Sequence, residues 1–129
     1  MAKQMLGSLR VLILEDELLI ALELEQICLD AGCREVVSFR NARELSAAST
    51  DLSGFDLAII DVMVGQDTTI GVAHQLSEQK VPFIFATGLS STEDVFREFP
   101  DVQIVNKPYT SSDLLKAIEA ACEQSCLGA

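Results

Sequence analysis

Positive charge is scarce in this chain. Nine Lys and Arg stand against twenty Asp and Glu, a net charge of −11 over 129 residues. Such a field repels phosphate backbones and anionic membrane surfaces, so direct binding to nucleic acid is excluded as a function class. Long apolar runs are missing as well. No stretch approaches the ~18 apolar residues of a membrane span, and residues 1–8 lack the apolar core of a signal peptide; the expected location is the cytoplasm, with no membrane insertion. Tryptophan is absent, and tyrosine and histidine occur once each. The four cysteines form no CxxC pair. Cys122 and Cys126 share a helix face, but zinc needs two more ligands and His74 lies on another predicted helix, so free thiols are expected. Repeats, linkers and low-complexity tracts are also lacking.

What is present is an aliphatic chain, 49% hydrophobic with six Phe. Residues 1–129 read as one domain, its core about 9–122 between short tails, long enough to bury roughly two thirds of its unfolded surface. The organising stretch is Gly54 to Gly65, where the apolar run Leu57, Ala58, Ile59, Ile60 stops at Asp61. An unbroken run of that length reads as a strand buried on both faces.

The same pattern recurs along the chain. Leu9 to Leu14 is a strand ending at Glu15, Asp16 and Glu17, and Ile20, Leu24, Ile27, Cys28 and Ala31 then recur at helical spacing until Gly32. Val36 to Phe39 makes a second strand, and Asn41 and Glu44 have the spacing of a capping box opening a helix to about Thr50. After the third strand, Val62 to Thr69 is expected as a loop in which Asp67 caps the next helix, about Ile70 to Gln79. Lys80 closes that helix at its negative end. Phe83 to Ala86 runs into Thr87, Ser91 opens a short helix to Phe99, and Val102 to Val105 leads to Asn106, Lys107 and Pro108. Thr110 and Asp113 repeat the capping-box spacing before the last helix. Five strands alternating with five helices predict a doubly wound α/β fold with a parallel sheet.

In such a sheet the strand ends share one rim, where ligands bind. Four of the five strands end in loaded residues: Glu15 and Asp16, Asp61, Thr87, and Lys107. Each alone has a plain explanation as a helix-start acid, a strand terminator or a surface charge. Together they make a different pattern. Carboxylates converging on one rim repel unless a cation neutralises them, and a hard divalent ion such as Mg2+ or Mn2+ suits oxygen ligands from Glu15, Asp16 and Asp61. Asp61 could then act as nucleophile toward a phosphoryl group whose oxygens Thr87 and Lys107 hold.

On these residues the chain resembles a response-regulator receiver domain of two-component signalling, over nearly its whole length. In that family an acid pair follows the first strand, the phosphoacceptor ends the third, Thr or Ser ends the fourth, and Lys-Pro follows the fifth; here these are Glu15 and Asp16, Asp61, Thr87, and Lys107 with Pro108. The resemblance implies a flavodoxin-like sheet of order 2-1-3-4-5, a Mg2+ contact through the Met63 backbone carbonyl, and a cis bond before Pro108. It also implies a phosphodonor partner, a histidine kinase or histidine phosphotransfer protein. Phe85, Ala86, Thr87, Gly88 and Leu89 resemble the subgroup named for the string FATGUY, whose partners are often kinases of the HWE or related type, although Ser90 stands where that motif has its aromatic.

Two departures shape the expected mechanism. Ile104 occupies the position where most receivers carry an aromatic switch, so the switch is expected in Gly88 to Phe99. The loop after Asp61 lacks the usual Met-Pro. The expected role is a phosphoacceptor that assists its own phosphorylation and is not an enzyme, serving as relay, sink or effector without an attached output domain. Three other readings compete. A pseudo-receiver would bind partners without phosphorylation. An aspartyl-phosphate phosphatase would want an acid where Met63 stands. A flavodoxin-type cofactor binder would want a Gly- or Ser-rich phosphate loop where Glu15 to Glu17 stand.

Overall fold

The computed structural model of the protein describes residues 9–48, 51–61, 63–64, 67–87, 97, 99, 101–106 and 109–127. The elements in order are β1 (Arg10–Leu14), α1 (Leu18–Asp30), β2 (Glu35–Phe39), α2 (Ala42–Ala47), β3 (Leu57–Ile60), β4 (Met63–Val64), β5 (Asp67–Thr68), α3 (Ile70–Glu78), β6 (Phe83–Thr87), β7 (Gln103–Asn106) and α4 (Ser111–Leu127), with a 3-10 turn at Leu52–Gly54. The main sheet has five strands in the order β2-β1-β3-β6-β7, all neighbours parallel. Counted in chain order within that sheet, this is 2-1-3-4-5, the flavodoxin-like arrangement.

Two apolar layers sandwich the sheet. On one face, Leu12, Leu14, Ala58, Ile60, Phe83 and Phe85 pack with Leu45 of α2 and Val72, Ala73 and Leu76 of α3. On the other, Val11, Ile13, Leu57, Ile59 and Ile84 pack with Leu24 and Cys28 of α1 and Leu114 and Ile118 of α4. Alternate residues of each strand thus serve opposite faces, which is why β1 and β3 read as unbroken apolar runs. Burying one such Leu or Ile contributes about 1.5–3 kcal/mol. On the first face, Phe83, Phe85 and Phe99 meet edge to face at 5.6–5.9 Å.

Local signals set the helix ends. Asn41 Oδ1 accepts from the Glu44 amide at 2.7 Å, and the Glu44 carboxylate reaches back to the Arg40 amide at 3.0 Å. At α4 the box is reciprocal: the Asp113 amide donates to Thr110 Oγ1 at 3.1 Å and the Thr110 amide to Asp113 Oδ2 at 3.2 Å. α1 ends in a Schellman motif, with the Cys33 amide on the Cys28 carbonyl and the Gly32 amide on the Leu29 carbonyl. Gly32 takes φ 93°, where a side chain would be strained.

Several expectations change. α2 stops at Ala47, capped by Ala48, short of Thr50. The expected loop after Asp61 contains an antiparallel pairing, Met63 with Thr68 and Val64 with Asp67. Asp67 therefore lies in a strand, and the N-cap of α3 is Thr69. Lys80 is more than a cation at a helix end. It occupies the left-handed position, φ 61°, of a second Schellman motif closed by the Lys80 amide on Ser77 and the Val81 amide on Leu76. Among the described residues there are four α-helices; the expected helix from Ser91 and the Gly88 to Phe99 switch lie, but for Arg97 and Phe99, outside them. Lys107, Pro108 and the expected cis bond lie outside them too.

Candidate functional site

Strand register assembles the site. Leu14 pairs with Ile60, and Ile60 with Phe85, so the residues that follow, Glu15 and Asp61, leave the sheet side by side. Each is anchored by its own amide: Asp61 donates to the Leu14 carbonyl at 3.0 Å and Glu15 to the Phe39 carbonyl at 3.1 Å. Asp16 comes one residue later, exposed, while Glu15 and Asp61 are 2% and 8% exposed. One carboxylate oxygen from each of Glu15, Asp16 and Asp61 lies within 4.8 Å of the others. Buried carboxylates are costly unless they are paired or hold a metal.

Neighbouring groups fix these side chains. Glu15 Oε2 accepts from the Glu17 amide at 3.2 Å, which ties the acid to the N-terminus of α1. The positive end of that helix favours negative charge there. Thr69 Oγ1 donates to the Asp61 carbonyl oxygen at 2.5 Å. Thr69 is 2% exposed, and its hydroxyl serves this bond while making no side-chain cap bond to α3. It thereby holds the backbone on which the Asp61 side chain turns.

The other sequence-predicted residues fall as follows. Met63 opens β4, two residues beyond Asp61. Thr87 is the last residue of β6 and pairs with Asn106, which places it one step further along the same rim than Asp61. Ile104, where an aromatic was expected to be missing, is half-buried against the aromatic cluster. The sequence reading missed Thr69, whose role depends on which carbonyl it meets in space. It also passed over Tyr109, whose hydroxyl is buried without a hydrogen-bond partner. Burial, and then the nearby carboxylates of Glu23, Glu15 and Asp61, push that phenol's pKa well above the ordinary tyrosine value.

As a donor set, three hard carboxylates converging on one point fit a small divalent cation such as Mg2+ and do not fit a soft metal. Among the described residues, the carboxylate centre includes no cysteine: Cys28 and Cys33 are buried free thiols.

Comparison with known proteins agrees with this geometry. The family model of the response regulator receiver domain matches residues 11–119. The chain is a response-regulator receiver domain. Among solved receiver-like structures, SdrG from Sphingomonas melonis Fr1 is 35% identical, with 88% of this chain and 96% of that one covered and a TM-score of 0.68. A response regulator receiver protein from Sinorhizobium medicae WSM419 is 24% identical, covering 92% and 97% at a TM-score of 0.74. The non-phosphorylated HemR receiver domain from Leptospira biflexa is 20% identical, covering 89% and 94% at 0.73. No curated protein sequence matches the chain. Among the described residues of this receiver, no helix is long and apolar enough to cross a membrane.

Proposed function

We propose that this receiver is a phosphoacceptor, with Asp61 as the residue that takes the phosphoryl group from a phosphohistidine. The convergence of Glu15, Asp16 and Asp61 oxygens within 4.8 Å, at the carboxyl ends of β1 and β3, carries the reading. An Asp61 carboxylate oxygen attacks phosphorus, a P–O bond forms and the P–N bond breaks. The departing imidazole keeps the electron pair and takes up a proton from solvent. Mg2+, or Mn2+ in its place, would supply, when bound, the positive charge that offsets the negative charges of Asp61 and the phosphoryl group. Glu15, Asp16, Asp61 and the Met63 backbone carbonyl would hold that ion, and Thr87 and Lys107 would hold the phosphoryl oxygens. Thr69 keeps the Asp61 backbone fixed during attack.

The donor is a histidine kinase or histidine phosphotransfer protein, of the HWE or related type, meeting the receiver in the cytoplasm. Leu18 and Leu19, 70% and 82% exposed at the start of α1, support docking of an apolar helical surface next to the acid pair. The chain assists its own phosphorylation and signals through its surface; catalytic turnover of a separate substrate forms no part of the reading.

Intact mass after incubation with Mg2+ and acetyl phosphate tests it. A single phosphoryl adduct is expected in the wild type, and none in Asp61→Asn or with EDTA. If wild type also takes no phosphoryl from a histidine-kinase donor, the phosphoacceptor reading fails in favour of a pseudo-receiver that binds partners without phosphorylation.

A further inference from the structure

Tyr109 is the single tyrosine of a chain without tryptophan. It directly precedes the Thr110 box that starts α4, and its half-buried ring packs against the aliphatic cluster shared by α1 and α4. Its hydroxyl oxygen is closed to solvent yet makes no hydrogen bond. A buried donor in that condition has lost its water without replacement, and any acceptor brought into reach lowers the free energy. The carboxylates of Glu23, Glu15 and Asp61 all lie near enough to raise the phenol's pKa, after burial itself.

We propose that Tyr109 is a positioning residue for the acidic centre, its hydroxyl donating to the Glu15 carboxylate when a divalent cation occupies that centre. The inference rests on the cation reading given above. Glu15 is the fitting acceptor among the three acids. Glu23 is exposed and outside the cluster, and Asp61 has to keep an oxygen for reaction. Glu15 is the buried acid that already takes one amide, from Glu17, on Oε2. Carboxylates that ligate a metal are themselves held by hydrogen bonds from the shell behind them, and the Tyr109 hydroxyl is a donor there still to be used. With a cation held by Glu15, Asp16 and Asp61, the Glu15 carboxylate would be fixed for the Tyr109 hydroxyl to donate to it from behind. The ring then links the centre to the packing between α1 and α4.

The test uses the full chain, wild type and Tyr109→Phe, with MgCl2 as the probe. Affinity comes from the Mg2+ dependence of Tm, and the near-UV tyrosine band reports Tyr109 alone. Mg2+ is expected to perturb that band in the wild type. Tyr109→Phe is expected to bind Mg2+ about threefold to tenfold more weakly, the worth of one hydrogen bond, while its metal-free Tm stays equal or rises because an unpartnered hydroxyl has gone. Unchanged affinity in Tyr109→Phe, or an unmoved band while Tm shows Mg2+ bound, overturns the proposal and leaves the cation reading standing. A metal-free Tm that drops along with affinity assigns Tyr109 a merely structural part and also overturns it. A wild-type Tm indifferent to Mg2+ removes both readings together.

Discussion

Where β1 and β3 begin, one cation is surrounded by acceptors; where they end, three carboxylates converge. At the start, Arg10 Nε meets Glu35 Oε1 at 2.6 Å, Nη1 donates to the Gly54 carbonyl at 2.7 Å, and the guanidinium lies 4.8 Å from the Phe55 ring centroid. The Arg10 amide adds a bond to Asp56 Oδ2 at 2.9 Å. Gly54 allows this approach, since a Cβ there would stand 2.9 Å from Nη1. Charges and hydrogen bonds there satisfy one another. At the far end, Glu15, Asp16 and Asp61 place like charges within 4.8 Å, two of them buried. The first arrangement stabilises the fold by itself, and the second is suited to gaining energy from a ligand.

The largest expected effect separates the two ends directly. At a hundred times its dissociation constant, Mg2+ should stabilise the wild type by about 2.7 kcal/mol, measured by urea denaturation with and without the ion. Glu15→Gln and Asp16→Asn should lose most of that increment. Arg10→Ala should keep it, and losing it there would show the two ends to be coupled and dissolve the contrast.

Arg10→Ala should instead lower metal-free stability, by about 1–2 kcal/mol. The exposed ion pair supplies about 0.2–1 kcal/mol of this, and the bond to Gly54 and the contact with Phe55 supply the remainder. A shift below about 0.3 kcal/mol would mean that solvent replaces the Arg10 contacts without loss. Lys80 gives a smaller test, because the helices run back to the end where the strands begin and close there. α1 closes on Gly32 and α3 on Lys80, in the same hydrogen-bond pattern. Lys80→Gly should stabilise by about 1 kcal/mol by relieving left-handed strain, and Gly32→Ala should cost about 1–2 kcal/mol. Equal and opposite signs from those two substitutions would confirm that φ, and not side-chain contact, governs both sites.

The features that could be read from the chain are those written locally. Leu57 to Asp61 announces a buried strand and its end because apolar residues stop at one position. Asn41 with Glu44 and Thr110 with Asp113 announce helix starts because a cap needs only a fixed spacing. Convergence of Glu15, Asp16 and Asp61 follows once the strands are parallel. Roles that depend on meeting a distant group stayed hidden. Thr69 reads as an ordinary residue before a helix until its hydroxyl is seen on the Asp61 carbonyl. Lys80 reads as a charge at the end of α3, although its backbone does the work. The helix period located α1, but Leu18, Leu19, Leu22 and Leu29 make it apolar on its exposed side as well, so period alone could not say which face looks outward.

The smallest expected effect lies at the same structural end, in the thiol pair that closes α1. Cys28 and Cys33 occupy the two positions of the Schellman motif whose side chains make its apolar contact, and both are buried. Burial, with smaller contributions from Cys33 and Glu25, pushes the Cys28 thiol up from 9.0 to about 12. Between those values the unfolded chain releases this proton while the folded chain keeps it. The folded state then binds more protons, so stability is fully present below the unfolded value and falls as pH rises through the window. Cys28→Ala should be less stable than the wild type at about pH 8, because burial of the sulfur is lost, and its stability should fall less steeply toward about pH 10.5. Denaturation curves for both chains at the two pH values give the comparison, and the difference cancels the titration of every group the two share. Parallel loss in both would show that the α1 terminus opens enough to let Cys28 ionise, which would make this end less closed than the buried thiols indicate.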